Sequence, residues 1–260
     1  MTTIAVTEAA PGGRPKVRLA PGLLQPRLVT RSAGFAHVAL VAGGATLLGG
    51  DSVSIRIEVG AGCTLRIEDI GGTVAYPSTG RPSAWNVDAV VGDGGVLVWE
   101  SFPFVVADRA HVGRRTTVRR GAEAQVCLRE TLVLGRTGEA GGRIVSTTDI
   151  RDVDGTPFFA EELSLDGEHP QPGVLGRSRV LDTAIMVGAD PEEGEAPTDT
   201  DEGHVLVLAR PGAVARAIGS ATHAAHVDVR WRRWTNRALA FDEHSSSGGR
   251  TEQNGEQSDE

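Results

Sequence analysis

Glu130 sits where a carboxylate is costly. Val126, Leu128, Leu132 and Leu134 alternate along one face of a strand-like run, and Glu130 falls on that same face. A carboxylate among inward-pointing aliphatics must pair, take up a proton or line a hydrated passage. Arg129 or Arg136 could pair with it, which would make it a structural ion pair. Directly after the strand, Gly135, Arg136, Gly138 and Glu139 place two opposite charges on a glycine-hinged turn. Asp51 raises the same question at the end of ATLLGGD, although Gly-Asp is also ordinary turn chemistry.

Other chemistries find little support. The Gly-Arg-Thr-Gly-Glu loop has neither a phosphate-binding lysine nor a following helix, and no GxxxxGK[ST] occurs. Cys63 and Cys127 form no CxxC pair for zinc. His223 and His226 lie three apart on an expected helix, with no third ligand nearby in sequence. No GxSxG elbow is present for nucleophilic hydrolysis. The runs RAHVGRRTTVRR and RWRRW are basic, but the tryptophans of the second fit an apolar helix stripe with the arginines as its solvated flank. Nucleic acid is therefore not the expected partner.

The elements that position these residues are short strands. SVSIRIEV alternates cleanly and CTLRIED follows after Gly-Ala-Gly, as a hairpin or as successive rungs. Similar segments recur to about Leu165, punctuated by many of the 34 glycines, and no fixed repeat is visible. The fold class is mainly β, with many short strands in layered, coiled sheets and one or two helices in the C-terminal part. Residues 1–15 are expected to be a disordered leader, and residues 16–242 a single β-rich domain. That domain includes an acidic loop at 190–203 and a helical segment at 211–241, on which Val227, Trp231, Trp234, Ala238 and Phe241 share a face. Residues 243–260 are expected to be a disordered acidic tail. The net charge of -8 resides in the acidic loop and tail, so the body itself is slightly basic and the charge identifies no ligand. Packed, reduced thiols, no visible secretory signal and no apolar run long enough for a bilayer give a soluble, cytoplasmic expectation.

Four blocks now stand in order: LLGGDSVSIRIEV, GTVAYPS, VLVWESFPFVVADRA and ETLVLGRTGE. Together they resemble the urease accessory protein UreD (UreH) family over about Val17 to Leu165. The resemblance implies a scaffold, not an enzyme. It would bind apo-urease and a UreF-type accessory protein, which recruits a UreG-type nickel-carrying GTPase. Transient nickel(II) would pass through the scaffold's interior, and no cofactor would be permanently bound.

Matched position by position, the resemblance makes Asp51, Thr73 and Glu130 candidates for lining the metal path, with no fixed metal site. Tyr76, Gly135, Arg136, Gly138 and Glu139 become loop or structural supports, with Arg136 and Glu139 shaping the path or holding it closed. Oxygen donors suit such transfer because they bind nickel more weakly than thiolate or multi-histidine sites. Two alternatives remain. A carbohydrate-active β-helical enzyme would want aromatic platforms, which 4% aromatic residues do not favour. A plain protein-interaction module would use Glu130 and Arg136 as a structural ion pair.

Overall fold

A computed structural model describes residues 1–7, 13–44, 47–78, 80–191 and 203–245. The first half contains β1 (Thr2–Thr7), β2 (Lys16–Ala20), β3 (Leu24–Arg31), β4 (Phe35–Ala42), β5 (Ser52–Val59), β6 (Thr64–Asp69), β7 (Thr73–Ala75), β8 (Ser83–Val91), β9 (Val96–Glu100) and β10 (Phe104–Val106). The second half contains β11 (His111–Arg120), β12 (Gln125–Leu134), β13 (Arg143–Asp152), β14 (Pro157–Asp166), β15 (Val180–Val187), β16 (His204–Val207), β17 (Gly212–Gly219) and the helix α1 (Asp228–Ser245). The architecture is mainly β, in coiled sheets.

The coil runs through the middle of the chain. β5, β8, β11 and β13 pair in parallel in a seven-stranded sheet, while β4, β6, β9 and β12 pair in parallel in a ten-stranded one. Each turn of the coil therefore adds one rung to each layer. SVSIRIEV and CTLRIED lie in different sheets, as successive rungs and not as a hairpin.

The corners between layers carry a repeat that the sequence reading did not see. Val59-Gly60-Ala61-Gly62, Val91-Gly92-Asp93-Gly94 and Arg120-Gly121-Ala122-Glu123 stack, with the Gly62 N–H donating to Asp93 O and the Gly94 N–H to Ala122 O. The last residue of each corner has positive φ, at 60° for Gly62, 59° for Gly94 and 52° for Glu123. The third corner replaces the glycine, and the spacing of roughly thirty residues drifts between rungs, so no literal motif survives. At Gly92 a Cβ would lie 2.7 Å from the Ala61 nitrogen, so the stacked corner excludes any side chain there.

Four expectations are corrected. Thr2–Thr7 is not a disordered leader: β1 sits between β5 and β2, with Ile4 and Val6 fully buried. The β-branched alternation of TTIAVT is itself a strand signal. Within the expected helical segment 211–241, residues 212–219 form β17, because Ala213, Ala215 and Ala217 alternate with Val214, Arg216 and Ile218 at period two. Arg230 of RWRRW is buried, not solvated. The helix itself begins at Asp228 and continues to Ser245, so it takes in the first residues of the expected tail. Most of the acidic segment (192–202) and of the tail (246–260) lies outside the described residues.

Helix α1 covers the outer face of the ten-stranded sheet. Val227, Trp231, Trp234 and Ala238 bury against Ala184, Ala213, Ala215 and Ala217, whose small side chains leave room for the indoles. Cys63 and Cys127 are buried and in no disulfide, and burial pushes the Cys127 thiol up to about 12, so it is inert. Among the described residues, no helix is long and apolar enough to cross a membrane.

Candidate functional site

The site begins at an interruption. β12 runs unbroken through the ten-stranded sheet, but its neighbour stops at Glu100 and resumes as β10 at Phe104. One rung further out, β6 stops at Asp69 and resumes as β7 at Thr73. Pro103 has no N–H for a ladder, and its carbonyl turns to accept from the Thr73 N–H at 3.1 Å. The breaks lie on neighbouring rungs and leave a gap beside the middle of β12.

Glu130 stands at that gap, on the face between the sheets. Across from it on β11, Arg114 shares the inward face with Val112, Thr116 and Val118 and is ion-paired to Glu130 Oε2. The partner is thus Arg114, and neither Arg129 nor Arg136. Among the described residues, buried Glu130 Oε1 accepts no hydrogen bond and Arg114 Nε finds no acceptor. Burial raises the Glu130 carboxyl pKa, while Arg114 pulls it back.

Thr116, Thr148, Thr183, Ser101 and Trp99 complete a cavity of about 20 Å³ around the pair. That is room for about one water molecule or ion. In sheet register Thr183 lies beside both Glu130 and Arg216, and Arg216 is ion-paired to Glu161 of β14. Asp69 lies at the other end of the polar layer, accepting from Trp99 Nε1 at 3.0 Å and from the Phe102 N–H at 3.3 Å. Burial lifts its carboxyl to about 6, against the pull of those donors and of Arg114.

On the outer face of the same sheet, a groove of about 430 Å³ is lined by Glu68, Glu100, Asp182, His223, His226 and Asp228, among others. Ser101 and Arg129 line both this groove and the inner cavity. The Arg129 guanidinium meets Asp182 at 2.8 Å, Asp228 at 2.6 Å and Glu100 at 3.3 Å. Asp182 also accepts from Thr131 Oγ1 and from the Val227 N–H, both at 3.0 Å, so it ties α1 to the sheet. His223 lies on a short 3-10 turn and His226 precedes α1, so the pair does not share a helix face. Among the described residues, no group of three or more His, Cys, Asp and Glu side chains could hold a metal.

The other sequence candidates are placed elsewhere. Asp51 is half-buried and caps its own turn, its Oδ2 accepting from the Leu48 N–H at 3.0 Å. Thr73 is buried beside Phe104, in register with Leu132 two residues along β12 from Glu130, and lines neither the cavity nor the groove. Arg136 and Glu139 pair with each other at the far end of β12, past Leu132 and Leu134. Tyr76 is half-buried and within electrostatic reach of Arg136.

Gly135 and Gly138 adopt φ of 72° and 83° to fold this loop, and the Gly135 N–H donates to Val106 O. Glu139 Oε2 accepts from the Arg136 and Asp108 N–H groups, at 2.9 and 3.2 Å. The side chain and N–H of Arg136 hold the Glu139 carboxyl down at about 2. The loop is thereby a clasp fastened to Val106 and Asp108, and it lines neither the cavity nor the groove.

Sequence reasoning missed Asp69, Arg114, Thr116, Thr148, Ser101, Glu161 and Arg216. A signal existed for some of them. Asp69 continues the Cys63, Leu65, Ile67 alternation, and Arg114 and Thr116 interrupt the alternation of Val112 with Val118.

A family model for the UreD urease accessory protein matches residues 17–244. The chain belongs to this family. Among its relatives, Urease accessory protein UreD 1 of Streptomyces griseus subsp. griseus is 36% identical over 231 residues, covering 88% of each chain. UreD of Frankia alni is 37% identical over 183 residues and 61% of each chain. UreD of Frankia casuarinae is 32% identical over 242 residues, covering 82% of this chain and 74% of its own. UreD family membership makes the chain an accessory protein of urease maturation and not an enzyme.

Proposed function

We propose that this protein is a cytoplasmic scaffold that bridges apo-urease to UreF-type and UreG-type accessory proteins, and that nickel(II) crosses its interior past Glu130. One observation carries the passage: Glu130 presents an unpartnered oxygen to a cavity that shares Ser101 and Arg129 with a carboxylate-lined outer groove. A cation arriving in that groove meets Glu100 and Asp228, then the strand break at Ser101, then Glu130. Hydroxyls of Thr116, Thr148 and Thr183 continue the oxygen lining toward Arg216 and Glu161. A lining of hydroxyls and one carboxylate, with no group of three or more His, Cys, Asp or Glu that could hold a metal among the described residues, suits an ion that must leave again.

Urease activation reconstituted with purified apo-urease, accessory proteins and nickel tests the reading. Glu130→Gln is expected to keep complex formation and to lose most nickel transfer. If it transfers nickel as the wild type does, the pair with Arg114 is structural and the passage fails. If the wild-type chain binds neither urease nor an accessory partner, the bridging role fails as well.

A further inference from the structure

Arg114 is an odd residue to find in a cation's path. Its side chain is 8% exposed, its Nε has no acceptor among the described residues, and its guanidinium lies 5.9 Å from the centre of the Phe104 ring. Trp85 backs that ring edge-on at 5.7 Å. Glu130 holds one end of the guanidinium, and its charge also reaches Asp69, so Arg114 stands between two carboxylates of the facing sheet. Glu161 and Arg216 lie beyond Glu130 and form their own pair.

The cavity has room for one ion, and Glu130 Oε1 is the oxygen free to receive it. A divalent cation there would sit within a few ångströms of the guanidinium, in a setting where like charges repel strongly. The two cannot both keep full contact with Glu130.

Resting on the passage reading above, we propose that Arg114 is the exchangeable counter-ion of the cavity, which neutralises Glu130 between transfers, yields toward Asp69 when a divalent cation takes Glu130, and returns to release it. Arg114 is then a positioning residue that keeps the carboxylate from becoming a trap. It does not touch the cargo. Phe104 gives the displaced guanidinium a face to rest on, since a ring face attracts a cation along its swing.

The test is nickel binding by the purified chain, measured with nickel chloride by equilibrium dialysis, alongside transfer in the reconstituted activation. Arg114→Met removes the competing charge, so nickel should bind roughly tenfold tighter or more than in the wild type. Urease activation should slow in parallel, because the ion is retained. Glu130→Gln should abolish the gain when combined with Arg114→Met.

If Arg114→Met binds nickel no better than wild type while Glu130→Gln still blocks transfer, the counter-ion role is wrong and the passage stands. If Glu130→Gln transfers normally, the passage itself is wrong. Should Arg114→Met fail to fold, the wild-type chain answers directly by NMR of the Arg114 Nε–H. Substoichiometric nickel should broaden that signal, and Glu130→Gln should remove the broadening. An Arg114 signal that ignores nickel overturns the proposal.

Discussion

Arg129 and Glu130 are consecutive residues of β12 that point to opposite faces of one sheet, and each forms an ion pair with a buried partner, Asp182 and Arg114. The two pairs are built differently. On the outer face, Arg129 and Asp182 are surrounded by further partners in Glu100, Asp228, Thr131 and the Val227 N–H. On the inner face, Arg114 and Glu130 each keep a buried polar atom without a partner among the described residues. A fully satisfied pair fixes structure, whereas a half-satisfied one is a net cost that the fold tolerates beside a cavity. The difference separates the pin that docks the helix from the group that has coordination to spare.

The largest effect should come from breaking the outer pin. Asp182→Ala takes from Arg129 the most buried of its three carboxylate partners, leaving Glu100 and Asp228, and strands the Thr131 hydroxyl and the Val227 N–H. A loss of about 3–5 kcal/mol is expected from removing one partner of a buried pair. Chemical denaturation would measure it, and protection of the α1 amides from hydrogen exchange should fall in step. A loss near zero would remove the distinction drawn between the two faces.

Asp69 gives the next effect, through pH. Its carboxyl is raised to about 6 in the folded chain from an ordinary value of 3.8, so the folded state holds the proton more tightly than the unfolded state does. Its contribution therefore favours folding at low pH and declines as pH rises through that window, by about 3 kcal/mol in all. Asp69→Asn should flatten the stability profile between pH 4 and 6. Matching slopes in mutant and wild type would show that Asp69 ionises freely in the fold.

The smaller effect at the inner pair is the sharper comparison. Replacing both partners with apolar residues of similar size, Arg114→Met with Glu130→Leu, should change stability by no more than about 1 kcal/mol, or raise it. The same double replacement at Arg129 and Asp182 should be clearly destabilising, because it strands the buried Thr131 hydroxyl and the Val227 N–H. Equal costs at the two sites would mean that the inner pair is structural after all.

How much of this was legible follows from where each signal lives. The strand class and the inward face of Glu130 follow from period-two alternation, which is local. The amphipathic stripe Val227, Trp231, Trp234 and Ala238 was legible for the same reason. β17 was misread because alanine suits a helix in isolation, and its strand state is imposed by pairing with β15 and β16. The partner of Glu130 was not legible from β12 at all. Arg114 lies on another sheet, and only the coil of the chain brings the two rungs face to face. Arg129 and Arg136 are nearer in sequence, but one points to the opposite face and the other lies beyond the end of the strand. The gap at Ser101 was hidden too, since breaks in two neighbouring rungs matter only when stacked.

The last contrast is between the cavity and the clasp at the end of the same strand. Glu139 is held at about 2 by Arg136, the reverse of Glu130, whose pKa burial raises. Its contribution is present above the ordinary carboxylate range and is lost as pH falls from there through about 2. The Arg136 side chain is half exposed, so the effect on global stability is small and screened by salt. Glu139→Gln should leave nickel transfer almost unchanged and lower stability slightly at neutral pH, a difference from wild type that shrinks as pH falls toward about 2. Because Glu139 also accepts the Asp108 N–H, the change should appear as faster amide exchange near Asp108 and Gly141, where the loop is fastened. If transfer falls as far in Glu139→Gln as in Glu130→Gln, the clasp is part of the passage, and the two ends of β12 act as one site.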